Sequence, residues 1–143
     1  MSQTKFKMPD YIRQAVVWLC KGYDDNVAWY KIRYQQLFGK NYRLNDMPYG
    51  GGHISLMEDK MLDLESHNRT RIIRAIDKAK MLIGMDLENN EIRCRLKTAI
   101  WESTLDSRGC PYEIWNLPTV CRDDFYERKR EFIKNIAIYL DLM

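Results

Sequence analysis

This chain lacks the residue patterns of several common chemistries. Its four cysteines, Cys20, Cys94, Cys110 and Cys121, form no CxxC pair, and His53 and His67 are the only histidines. Zinc-ligand spacing is therefore absent, and the thiols read as reduced. The N-terminus carries no apolar leader, and the longest apolar run, AVVWLC at 15–20, is far too short to span a bilayer. The expectation is a soluble, cytoplasmic protein with no membrane partner, no metal and no cofactor. Internal repeats, low-complexity tracts and convincing strand patterns are absent as well.

Catalytic groupings are equally scarce. Gly50, Gly51 and Gly52 could suggest a phosphate cradle, but no GK[ST] follows them and no strand precedes them. Neither histidine has an evident cysteine or serine partner for nucleophilic catalysis. The carboxylate pairs Glu58/Asp59 and Asp123/Asp124 are adjacent, so on a helix they diverge and cannot converge on one metal ion. An enzyme is not expected. Charge of one sign is lacking too: 23 basic and 20 acidic residues leave +3, a mild hint of a polyanionic partner.

What remains is helical periodicity. In 143 residues with 45% hydrophobic content there is material for one compact domain or two small helical parts. Ile12, Ala15, Val16 and Leu19 predict a first helix between Asp10 and Gly22, and Val27, Tyr30, Tyr34 and Leu37 a second that ends at Gly39. Residues 39–54 read as a glycine-rich loop. Ser55 and Glu58 form a capping box, so a helix is expected from about Leu56, with Ile72, Ile73, Ile76, Ala79, Leu82 and Ile83 as its later apolar stripe and Gly84 as its stop. Unbroken, that helix would run roughly 43 Å, which suggests a second chain against Ile72, Ile76, Leu82 and Ile83 and hence a homodimer; His67 and Asn68 are the place for a break. Asp86 is expected to cap the next helix, whose face is Ile92, Leu96, Ala99, Ile100 and Ser103. After RGCP at 108–111 come a short helical turn from Tyr112, the bend LPTV at 117–120, and a last helix from about Arg122 to Leu142. The fold class is all-α, with an N-terminal oligomerisation part at 1–84 and a DNA-binding part at 85–143. The four tryptophans are expected in the core or in dimer contacts.

The last fifty residues satisfy the demands of a helix-turn-helix: Ile114 and Leu117 as first anchors, Val120 in the turn, Cys121 at the cap, and Phe125 and Phe132 on the buried face of the second helix. The ending FYERKREFIKNIAIYLDLM resembles the tail of phage late-gene transcriptional regulators of the RinA and ArpU type. The likeness is carried by Val120, Arg122, Phe125, Tyr126, Arg128, Arg130, Glu131, Phe132 and Ile133. Cys121 stands where that family has a capping serine, Asp124 where threonine is usual, and Glu127 where a second arginine is common. The resemblance implies a sequence-specific DNA-binding regulator with a C-terminal region like sigma-factor region 4, an activator of packaging genes in phages and prophages, with double-stranded DNA and host RNA polymerase as partners.

Acidic residues complicate that reading, because 86–143 holds nine basic against eleven acidic residues. With Phe125 and Phe132 inward, however, Arg122, Tyr126, Arg130 and Lys134 share one stripe, flanked by Lys129. Asp123 and Asp124 fall in the first turn, where the helix dipole favours them, and Glu127 and Glu131 have basic partners at helical spacing. A second basic cluster, Arg69, Arg71 and Arg74, is a secondary candidate for phosphate contacts. The competing readings are a DNA-packaging accessory similar in role to a small terminase subunit, and a helical interaction protein that binds no DNA.

Overall fold

The computed structural model describes residues 8–38, 51–106 and 112–143, with side chains from residue 57 onward in the middle stretch. Six α-helices and one short 3-10 turn account for the described secondary structure, and no strand occurs among these residues, so the fold is all-α. The helices are α1 (Asp10–Lys21), α2 (Tyr23–Phe38), α3 (Gly51–Ser66), α4 (Asn68–Leu82), α5 (Asn90–Leu105) and α6 (Arg122–Tyr139), with the 3-10 turn at Tyr112–Trp115. The chain divides into two compact units, one formed by Met1–Lys21 and Ala75–Met143, the other by Gly22–Arg74. This division differs from a boundary at 84/85, because α1 belongs with α5 and α6.

In the first unit, α1 begins after Pro9, whose carbonyl accepts from the amides of Ile12 and Arg13. Proline supplies no amide of its own, so this is an inexpensive place to begin a helix. Ile12, Val16 and Cys20 form its buried line at four-residue spacing, against α5 and α6. Ala15, expected in that stripe, is exposed and Leu19 half-buried. Around this line lie Ile76, Ala79, Ile83, Leu96, Ala99, Ile100, Phe125, Phe132, Ile133, Ile136 and Ala137, all buried. Trp101 meets Phe132 edge-on at 6.2 Å, and the Lys80 ammonium sits 3.7 Å from the Trp101 ring centroid. Burial pushes the Cys20 thiol up to about 12, so it behaves as a small apolar side chain. Trp18, by contrast, is 74% exposed and no part of the core.

The link from α4 to α5 corrects one expectation. Asn89, and not Asp86, caps α5: its side chain accepts from the amides of Glu91 (2.9 Å) and Ile92 (3.2 Å). Gly84 ends the preceding turn in the left-handed region at φ 72°, and an added Cβ there would lie 2.9 Å from Cγ of Arg93. The Arg93 guanidinium in turn donates to the carbonyls of Gly84 (3.0 Å) and Leu87, closing the linker onto α5.

In the second unit, α2 and α3 pack together. Tyr30, Tyr34 and Phe38 form an aromatic ladder along α2, with centroids 6.3 and 4.8 Å apart. Helix α3 already includes Gly51, so Ser55 lies in its second turn and the capping box does not open it; of the expected loop, residues 51–54 are helical and 39–50 lie outside the described residues. The long rod is interrupted at His67, whose Nδ1 accepts from the Arg69 amide at 3.1 Å and opens α4. Of the residues expected to hold a second chain, Ile76 and Ile83 are buried within the chain itself, while Leu82 remains 45% exposed.

Candidate nucleic-acid interface

Helix α6 starts without side-chain help. Cys121 is in the capping position with an extended backbone and no side-chain hydrogen bond, as expected for a thiol, a weak acceptor. Asp123 and Asp124 sit in the first turn, where the helix dipole favours carboxylates. Asp124 also accepts from Nε of Arg128 at 3.1 Å, and Arg128 closes on Asp86. Two of the acids that count against DNA binding, Asp86 and Asp124, are therefore paired with one cation, Arg128.

The segment before α6 is anchored by Leu117 and Val120, both buried, but not by Ile114, which is 60% exposed. Tyr112 takes that place. Its ring lies 5.6 Å from Phe125 and its hydroxyl donates to the Val120 carbonyl. The cause is local: the element is a four-residue 3-10 turn, and with three residues per turn the anchoring side chain falls at Tyr112 and not at Ile114. Arg95 of α5 holds the following bend by donating to the Asn116 carbonyl at 2.9 Å.

On the outer side of α6 a groove of about 930 Å³ runs against the start of α1. Tyr126, Lys129, Arg130 and Lys134 line it, so four of the five residues chosen from the sequence come together. Arg122 does not line it; its guanidinium lies 3.7 Å from Glu113 and 5.8 Å from the Tyr126 ring centroid. From α1 the groove gains Arg13, which the sequence pattern did not single out. Arg13 follows the buried Ile12 directly, so its outward position is readable; that α1 packs beside α6 is not, since no local pattern specifies helix neighbours.

Each cation has its own setting. Lys129, expected on the outward stripe, is half-buried and donates to the Ser103 carbonyl at 3.1 Å. That hydrogen bond ties its ammonium to α5, so it is not a free phosphate ligand, and burial, followed by the charge of Arg13, lowers its pKa. Arg130 pairs with Glu127 at 3.0 Å, yet stays 67% exposed. Arg13 is 3.8 Å from Asp10, a loose contact. Asp10, Glu127 and Glu131 also line the groove, whose described lining therefore carries four cations against three carboxylates. Exposed ion pairs of this kind are worth about 0–1 kcal/mol, weak enough for a phosphate to displace the carboxylate.

In the second unit the secondary candidates are differently placed. Arg74 donates to Glu65 at 2.8 Å and to the Tyr30 hydroxyl at 3.3 Å, and the Glu65 hydrogen bond raises its pKa. Arg69 lies over Trp29 at 5.7 Å, and Arg71 is exposed. A phosphate would have to displace Glu65 to reach Arg74. Among the described residues no cluster of three or more metal-ligating side chains occurs, and no helix is long and apolar enough to cross a membrane.

Comparison with known proteins found no matching family model, no matching curated protein and no matching solved structure.

Proposed function

We propose that the chain is a sequence-specific DNA-binding transcriptional regulator that uses the groove between α1 and α6. The observation that carries this reading is the convergence of Tyr126, Arg130 and Lys134 with Arg13 on one surface, while Asp124 and Asp86 are held at Arg128. Duplex DNA is read by such a combination: exposed cations take phosphates, and an aromatic or guanidinium group reaches a base edge. The 3-10 turn, the bend at 117–120 and α6 serve as a shortened helix-turn-helix, in which Tyr112, Leu117, Val120 and Phe125 set the crossing and α6 is the reading element.

Near-neutral charge in the groove makes this a weak electrostatic binder outside its own site, and discrimination then rests on base contacts and less on counterion release. The likeness of the α6 sequence to phage late-gene regulators supports the narrower proposal: an activator of phage packaging genes, acting in the bacterial cytoplasm beside host RNA polymerase, as a homodimer. The test is capture of genomic fragments by the purified protein, followed by sequencing. Enrichment of one promoter region, with affinity falling as salt rises, is the expected result. Uniform recovery of fragments, or a mass in solution corresponding to a ring, would favour a packaging accessory, and absence of capture a helical interaction protein.

A further inference from the structure

Helix α1 has two working faces, and the groove on α6 uses neither in full. Ile12, Val16 and Cys20 point into the core, and on a helix of 3.6 residues per turn Tyr11 and Trp18 fall on nearly the opposite side. Their exposures, 73% and 74%, are the largest among the big apolar side chains described. Beside Trp18 is a second hollow, about 320 Å³, lined by Arg13, Gln14, Val17, Trp18 and Lys21. No carboxylate is among the described residues lining it, in contrast to the α6 groove, where three are. Arg13 and Lys21 stand at the two ends, eight residues and so roughly 12 Å apart along the helix.

We propose that this face docks an amphipathic, carboxylate-bearing helix of another protein. The chemistry fits on both counts. An exposed tryptophan beside a hollow that takes one or two aliphatic side chains is an anchor for an apolar residue of the partner, and aromatic anchors dominate interface energetics. Cations at each end select acid on the flanks, and carboxylates two turns apart on the partner helix are separated by about 10.5 Å, near the Arg13 to Lys21 spacing. A DNA backbone would satisfy the cations but leave Tyr11 and Trp18 wet, so the apolar half of the face argues for protein. This inference does not depend on DNA binding at α6.

The test uses the full chain and two labelled helical peptides of about fourteen residues, each with a leucine stripe, one flanked by glutamates and the other by lysines. Fluorescence anisotropy is expected to show saturable binding of the glutamate peptide and at least tenfold weaker binding of the lysine peptide. Trp18→Ala and Lys21→Glu are each expected to weaken the glutamate peptide about tenfold or more, with an unchanged circular dichroism spectrum and unchanged capture of DNA. Equal binding of both peptides, or a Trp18→Ala variant that binds like the parent, overturns the proposal. So does loss of DNA capture in Trp18→Ala or Lys21→Glu, which would assign the face to nucleic acid, and so does a fall in solution mass in Trp18→Ala without peptide binding, which would assign it to a second copy of this chain.

Discussion

Arg128 closes on Asp86 with two parallel hydrogen bonds, 2.8 and 2.7 Å, and on Asp124 from the other side, joining the α4–α5 linker to the first turns of α6. The Arg128 side chain is only 20% exposed, so its end of the fork is largely shielded from solvent. It holds the start of α6 against the α4–α5 linker.

Its pH dependence follows. The Arg128 hydrogen bond holds the Asp86 carboxyl down at about 2, below its ordinary value. A depressed carboxylate stabilises the fold fully above the unfolded value of about 3.9, and the contribution is lost as pH falls from there toward the folded value. Asp86 is 63% exposed, so solvent limits the effect to at most about 1 kcal/mol. Asp86→Asn should unfold more easily than the parent in urea at about pH 6, and the gap between the two midpoints should shrink as pH falls through about 4 toward about 2 and close below that. A constant gap across that range would assign the stabilisation to packing and not to charge.

Phe125 is fully buried, whereas Ile114 is 60% exposed. Phe125→Ala should cost roughly 3–5 kcal/mol, and Ile114→Ala no more than about 0.5 kcal/mol. Denaturant midpoints decide it; equal losses would restore Ile114 as an anchor of the turn.

Cys121 caps α6 without a side-chain hydrogen bond. Cys121→Ser supplies a hydroxyl that can accept from the amides one turn in, and should raise stability by about 0.5–1 kcal/mol. A melting temperature that stays level or falls would mean that the backbone at 121 does not present the new side chain to those amides.

Gly84 has φ 72°, and a Cβ would meet Arg93 at 2.9 Å. Gly84→Ala should therefore destabilise by about 1–2 kcal/mol, through the left-handed backbone and through displacement of Arg93 from the Gly84 and Leu87 carbonyls. An Arg93→Ala background should reduce the penalty, since the crowded side chain is then gone; an undiminished penalty would place the whole cost in the backbone.

These residues also mark how much the sequence discloses. Helix content, the stop at Gly84 and the buried line Leu117, Val120, Phe125, Phe132 follow from periodicity and local backbone preference, which are encoded within a few neighbours. Asp86 is legible as an acid near a helix start, but Asn89 is three residues closer to α5 and reaches its first amides, while Asp86 meets Arg128 across 42 residues of sequence. The rod expected from about Leu56 is broken at His67, the place the sequence marks for a break; that Nδ1 of His67 there accepts from the Arg69 amide is a contact that apolar spacing does not register. At the groove, the α6 stripe is readable from four-residue spacing; Arg13, and the turn of Lys129 toward Ser103, depend on which helices become neighbours.

Whether the α6 groove meets DNA through exposed cations and Tyr126, with its acids standing aside, is decided by affinity for a captured promoter fragment, measured against salt. The proteins to compare are the parent, Arg13→Ala, Arg130→Ala, Lys134→Ala, Arg122→Ala and Tyr126→Phe. Each cation that reaches only phosphate should, when removed, weaken all sequences alike and reduce the salt slope by about one; Arg122→Ala or Tyr126→Phe should cost about 1–3 kcal/mol and blur specificity if the residue reads a base. Asp123→Asn should leave affinity level or raise it. If Arg13→Ala, Arg130→Ala and Lys134→Ala all bind as the parent does, while substitution of Arg69, Arg71 and Arg74 abolishes binding, the DNA surface lies in the second unit and α6 is not the reading element.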